Sequence, residues 1–161
     1  MSELRIGIGV DAHAFADGVP LMLGGVELDH PQGLAGHSDG DVITHALIDA
    51  LLGPAGLGDI GALFPADDPK WEGSSSLDLL RRAYAAVWTE GWRLVNADCV
   101  LIGEQPRIAS HREAMRDRLA ETLEVDWHRV SVRATTTDAL GFTGRGEGLA
   151  AHAAALLRQR D

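Results

Sequence analysis

Cysteine is nearly absent: Cys99 stands alone among 161 residues. A single thiol excludes an intrachain disulfide and a thiolate-rich metal site, and it reads as a chain kept in a reducing, cytoplasmic compartment. Because Cys99 falls inside an apolar strand pattern, it is itself expected in the core. Long apolar runs are missing too: none approaches the roughly 20 residues of a membrane span. A strand pattern begins directly after Met1–Glu3, so neither a signal nor a transit peptide is expected. Positive charge is scarce, with 14 Lys and Arg against 24 Asp and Glu and a formal net charge of -10. Such a surface repels nucleic acid and anionic membranes. An anionic substrate must then be met locally, by a metal ion, helix N-termini or a few arginines. With no repeat or linker and a hydrophobic fraction of 45%, residues 1–161 read as one globular domain.

Periodicity gives the elements. Arg5 to His13 alternates, with Ile6, Ile8 and Val10 on one face of a strand and Gly7, Gly9, Asp11 and His13 on the other. Leu21 to Leu28 carries Gly24-Gly25 between short apolar runs, which predicts a small hairpin. From Asp41 the period becomes helical through Val42, Ile43, Ala46, Leu47, Ala50 and Leu51, and Gly53-Pro54 stops it. Ala55 to Ser76 reads as a long loop anchored by Ile60, Leu63 and Phe64.

A second helix is expected over Leu77 to Glu90, with Ser75 or Ser76 as cap and Gly91 as terminator. A buried strand follows over Trp92 to Ile102, then a helix over His111 to Leu123 and a strand over Val130 to Thr136. The alanine-rich stretch Leu149 to Leu157 predicts a final helix. Strands separated by helices in one small domain suggest an α+β, two-layer sandwich: a mixed β-sheet with helices on one face. The other face then needs cover, which predicts self-association.

Asp11 and His13 project from one strand face, close enough to ligate one ion. Taken alone, Asp-x-His also describes a solvated strand end. On the helix, Asp41, His45 and Asp49 form a polar stripe at i, i+4 and i+8, with Asp41 suited equally to an N-cap. Together, Asp11, His13 and His45 give the ligand types of a zinc site with an open fourth position. Such an ion polarises a phosphoryl oxygen or activates water, and the residues alone do not choose between these. His37 and Ser38 lie where a helix start can hold a phosphate, although Ser38 is also a fair cap. Thr135, Thr136 and Thr137 end a strand next to Asp138, a carboxylate able to ligate a hard cation. The Gly141–Gly148 segment lacks the lysine of a mononucleotide loop and reads as tight backbone carrying an Arg145–Glu147 pair.

Asp11-x-His13, His37-Ser-Asp-Gly-Asp41, His45, Asp59-Ile-Gly61, Phe64-Pro65, Ala134-Thr-Thr-Thr137 and Gly141-Phe-Thr-Gly-Arg-Gly-Glu-Gly148 follow one another along nearly the whole chain. In this order they resemble the 2-C-methyl-D-erythritol 2,4-cyclodiphosphate synthases. The resemblance implies a metal-dependent phosphorus-oxygen lyase of the non-mevalonate route to isoprenoid precursors. Its substrate is 4-diphosphocytidyl-2-C-methyl-D-erythritol 2-phosphate, whose 2-phosphate attacks its own β-phosphorus and expels CMP. It implies Zn²⁺ on Asp11, His13 and His45, and Mg²⁺ or Mn²⁺ on Asp138, with His37, Thr136 and Asp138 at the reacting phosphates. Ser38, Asp59, Gly61 and Phe64 would hold the phosphorylated erythritol. Gly103, Pro106, Arg107, Ala109, Ala134, Thr135 and Thr136 would form the cytidine pocket. It further implies a homotrimer with shared active sites and a threefold cavity, near Phe142, Arg145 and Glu147, that takes an isoprenoid diphosphate.

Four positions depart from the pattern of bacterial members. Asp138 stands for a usual glutamate, Arg107 for a common lysine, Ala66 for a frequent acid and Ile8 for an often polar residue. The rival readings are a zinc-dependent phosphohydrolase, whose open zinc activates water, and a non-catalytic trimer that binds a nucleotide or isoprenoid.

Overall fold

Gly7 and Gly9 decide how the first strand meets the rest of the chain. In the computed structural model, which describes residues 2–161, strand β1 runs Leu4–Asp17 and helix α1 runs Val42–Leu52. A Cβ on Gly9 would lie 1.8 Å from the Ala46 carbonyl oxygen, and one on Gly7 would lie 2.1 Å from that of Ala50. Only glycine lets the helix backbone rest directly on the strand. The glycine face is therefore the buried one. The apolar face of the same strand points outward, with Ile6 80% and Ile8 77% exposed.

The remaining elements are β2 (Leu21–Leu23), β3 (Val26–Leu28), β4 (Gln32–Leu34), α2 (Ile60–Leu63), α3 (Ser76–Thr89), β5 (Trp92–Ile102), α4 (Arg112–Thr122), β6 (Val130–Thr135), α5 (Gly141–Gly144) and β7 (Gly148–Gln159). The main sheet has the order β4-β1-β7-β5-β6, and β2 pairs with β3 in the predicted hairpin. Only β5 and β6 run parallel; β1 with β4, β1 with β7 and β5 with β7 are antiparallel. The fold is thus α+β with a mixed sheet, and α1 packs across the inner side of β1, β7 and β5. Ile43, Leu47, Ile48 and Leu51 of α1 are completely buried there, each stabilising by about 1.5–3 kcal/mol. Cys99 lies in this core, where burial pushes its thiol up to about 12.

Two expectations need correction. The alanine-rich Leu149 to Leu157 stretch belongs to β7, a strand hydrogen-bonded on both sides, not to a helix. Residues 55–76 include α2 and a 3-10 turn, Pro69–Trp71, within the expected loop. The polar stripe on α1 turns inward: Asp41 is fully buried and His45 is 8% exposed.

Asp41 shows why. Its carboxylate caps α1 by accepting from Thr44 N at 3.0 Å and Thr44 Oγ1 at 2.7 Å. It also accepts from Gly24 N at 2.9 Å and Gly25 N at 2.7 Å, which fastens the β2–β3 turn to the helix start. Burial pushes the Asp41 carboxyl up, and the bonds from Thr44 and Gly25 draw it part of the way back.

Candidate functional site

Asp11 and His13 leave β1 on its inward face, and His45 comes from the first turn of α1, held close by the glycine contact. Asp11 Oδ2 lies 2.8 Å from His13 Nε2 and 3.1 Å from His45 Nδ1, and the two ring nitrogens are 3.2 Å apart. Ligands about 2.0–2.1 Å from a tetrahedral ion stand about 3.3 Å from one another. This triangle therefore closes on an ion with little adjustment. Among the described residues it is the one cluster of three acid, histidine or cysteine ligands that could hold a metal.

The electrostatics favour a cation. Burial raises the Asp11 carboxyl, but the hydrogen bonds to His13 and His45 outweigh it and hold the group at about 2. Across the pair, the bond to Asp11 raises His13 above its ordinary 6.5, against the opposing effect of burial. Asp11 is thus an anion at ordinary pH, and proton and metal compete for His13.

The other anticipated residues surround two further places. Ser38 precedes α1, and its Oγ lies 2.9 Å from His45 Nε2; neighbouring His37 is exposed. Asp59 caps α2 by accepting from Ala62 N at 2.9 Å, and Asp49 of α1 accepts from Ile60 N at 2.8 Å. Gly61 is exposed on α2, whereas Phe64 is buried against Trp71 with ring centroids 4.9 Å apart. The ring of Phe64 thus anchors the loop.

Gly103, Pro106, Arg107 and Ala109 face Ala134, Thr135 and Thr136 across a single cavity of about 410 Å³. The parallel pairing of β5 with β6 places these two segments side by side at the strand ends. Asp138, with φ at 52°, stands exposed just beyond β6, its Oδ1 3.5 Å from Thr136 Oγ1. It takes no part in the histidine cluster. Arg145 pairs with Glu147 at 2.8 Å, and Phe142 on α5 is 43% exposed. A larger cavity, about 970 Å³, lies at the opposite end of β5 around Arg93 and Arg129 and takes in none of these residues.

The family profile of YgbB matches residues 4–158. The chain belongs to the YgbB family. Over 157 residues it is 51% identical to the 2-C-methyl-D-erythritol 2,4-cyclodiphosphate synthase of Synechococcus elongatus, covering 98% of each chain. The synthase of Marinobacter nauticus is 54% identical over 154 residues, 96% of this chain and 97% of its own. Among solved structures, a 2C-methyl-D-erythritol-2,4-cyclodiphosphate synthase in a CDP-bound form superposes with a TM-score of 0.86 at 40% identity, covering 95% of this chain and 99% of that one. The bifunctional IspDF of Campylobacter jejuni superposes with a TM-score of 0.96 at 43% identity; all of this chain matches 44% of that protein.

Sequence reasoning missed two residues that stand behind the triangle. Ser76, read there as a cap, turns its Oγ to His45 Nε2 at 2.8 Å. Asp39 accepts from both Ser76 N and Ser76 Oγ. Residues 39 and 76 are far apart in the chain, so no local spacing signals the contact.

Proposed function

We propose that the chain converts 4-diphosphocytidyl-2-C-methyl-D-erythritol 2-phosphate into 2-C-methyl-D-erythritol 2,4-cyclodiphosphate with release of CMP. The observation that carries this reading is the near-full-length identity with synthases of that name, joined to an intact acid–histidine triangle. A 2-phosphate oxygen bonds to the β-phosphorus while the bond from that phosphorus to the CMP oxygen breaks. No water enters, so the enzyme is a phosphorus-oxygen lyase. Asp11, His13 and His45 would hold Zn²⁺, which when bound supplies Lewis-acid polarisation of the diphosphate.

The chain's own groups supply position and charge neutralisation, the two demands of phosphoryl transfer. His37 and Ser38 face the phosphorylated erythritol, and Asp59 accepts hydrogen bonds from its hydroxyls. Gly61 lets the sugar approach the α2 backbone. The cavity between Gly103–Ala109 and Ala134–Thr136 suits a cytidine read largely by backbone groups, with Arg107 at its edge. Asp138, with Thr136, would hold Mg²⁺ or Mn²⁺, which when bound would offset phosphate charge.

We assign the working form to a cytoplasmic homotrimer whose active sites lie between subunits. The bare apolar face of β1 supports the assembly. Phe142, Arg145 and Glu147 would then face the threefold cavity, where an isoprenoid diphosphate is the ligand we propose. Incubation of the protein with the cytidylated substrate, Zn²⁺ and Mg²⁺ should yield CMP and the cyclic diphosphate in equal amounts. A linear hydrolysis product beside CMP would instead make the chain a phosphohydrolase, and no turnover would leave a binding protein.

A further inference from the structure

The cavity of about 970 Å³ at the far end of β5 arises from unequal strand lengths. Strand β6 pairs only with Ala97 to Ile102, so Trp92 to Asn96 have no strand beside them on that edge. Val95 bulges out of the β5–β7 ladder there, and its carbonyl accepts from Arg129 Nη1 at 2.9 Å. The space left open lies between the C-terminal ends of α3 and α4.

Three bases line this space without a carboxylate. Arg93, Arg129 and Arg158 join no ion pair among the described residues. Arg93 and Arg158 stand directly opposite each other in the β5–β7 register, and on its other side Arg158 faces Leu4. Like charges so placed destabilise a sheet. Of the other charged groups at the cavity, Arg81 is held by Asp78 at 2.7 Å, while Glu124 and Asp126 lie on the α4 side and bridge to none of the arginines. A chain with 24 acids for 14 bases has carboxylates to spare, yet leaves these three unpaired.

The neutral groups complete a binding site. Tyr84 Oη accepts from Leu94 N at 3.0 Å, which leaves the phenol proton for another acceptor. Trp88, 47% exposed, forms an aromatic wall, pinned by the Arg160 guanidinium 4.1 Å from its ring centroid. We propose that this cavity binds a small organic phosphate, with the phosphate on Arg93, Arg129 and Arg158 and the carbon body against Tyr84 and Trp88. Guanidinium forks match phosphate oxygens two at a time, and the volume is that of a small-molecule site. None of its residues belongs to the metal triangle or to the cytidine cavity, so the proposal stands apart from the reaction.

Phenyl phosphate, an aromatic body carrying one phosphate, is the probe. Titrated into the assembled protein and followed by amide ¹⁵N NMR, it should give saturable shifts at residues 93–95 and 122–126. Affinity should fall about tenfold in Arg93→Gln and in Arg158→Gln, the loss of one charge-assisted contact. Without the probe, both variants should melt no lower than the parent, because each removes a like-charge contact. Shifts confined to His37, Ser38 and Asp59 put the phosphate in the site already described and overturn the proposal. An affinity unchanged in both variants does the same, as does phenol shifting the cavity amides as strongly as its phosphate ester. Lower melting or lost assembly in both variants, with phenyl phosphate bound as in the parent, makes the arginine pair a structural contact and also overturns it.

Discussion

At the scale of single residues, the acids of this chain separate into two kinds by what they touch. Asp41 meets only neutral donors, from Thr44, Gly24 and Gly25, in a fully buried position. Asp11 meets two imidazoles. Replacing Asp41 by alanine removes a helix cap and strands the donors of the hairpin turn, so Asp41→Ala should lose on the order of 3 kcal/mol in urea unfolding. A loss within the range of an exposed cap would show that the hairpin anchor contributes nothing. The Asp11–His13 pair predicts a pH signature. Asp11 falls from 3.8 to about 2 in the fold, so its contribution is present above 3.8 and lost as pH drops toward 2. His13 rises above 6.5, so its contribution is present below 6.5 and lost as pH climbs through the raised value. Metal-free protein should therefore weaken above 6.5, whereas zinc-loaded protein should strengthen over the same interval, because neutral histidine is the ligand. Thermal melts with and without zinc across that interval check the sign; parallel curves would remove the site from the titration.

At the scale of elements, the two glycines of β1 set the spacing on which the triangle depends. A methyl at residue 9 cannot fit 1.8 Å from the Ala46 carbonyl oxygen, so α1 must lift or slide. Gly9→Ala should destabilise by about 1–3 kcal/mol as overpacking and weaken zinc binding, since His45 leaves with the helix. Chemical denaturation and chelator competition measure the two effects; normal zinc affinity would mean that strand and helix adjust independently. This close approach was half legible beforehand. The alternation put Gly7, Gly9, Asp11 and His13 on one face, but the apolar Ile6, Ile8 and Val10 looked equally fit to be the buried side. The hairpin, α1, β5 and the convergence of Asp11, His13 and His45 followed from periodicity and turn residues. Strand β7 did not. Alanine has high intrinsic helix propensity, yet Ala151, Ala153 and Ala155 lie buried beneath α1, where a central strand needs small side chains. The contact from Ser76 to His45 was equally invisible, because only the packing of α3 against α1 brings those residues together.

At the scale of the whole molecule, the sheet has one face covered by helices and one face bare. Directly opposed residues share a face, so the register extends the exposed stripe of β1 across the sheet. Ile6 is opposite Leu156, Ile8 opposite Ala154, and Val10 opposite His152, which is in turn opposite Val100 of β5. Beyond this apolar centre, Asp98 pairs with Arg133 at 3.0 Å, giving a charged border. A patch of this kind suits the proposed trimer, in which a head-to-tail contact closes around a threefold axis. The variant Ile8→Asp sets a carboxylate in the same sheet row as Ala154 and Asp98, adding like charge to a surface that must lose water on assembly. Sedimentation should find Ile8→Asp largely monomeric. Its zinc content should stay normal, because Asp11, His13 and His45 all come from one chain. Its turnover should nevertheless collapse, because the proposed active site needs the cytidine cavity of a neighbour. A monomer that still turns over would show that one chain supplies both halves of the site, and an intact trimer would move the interface elsewhere.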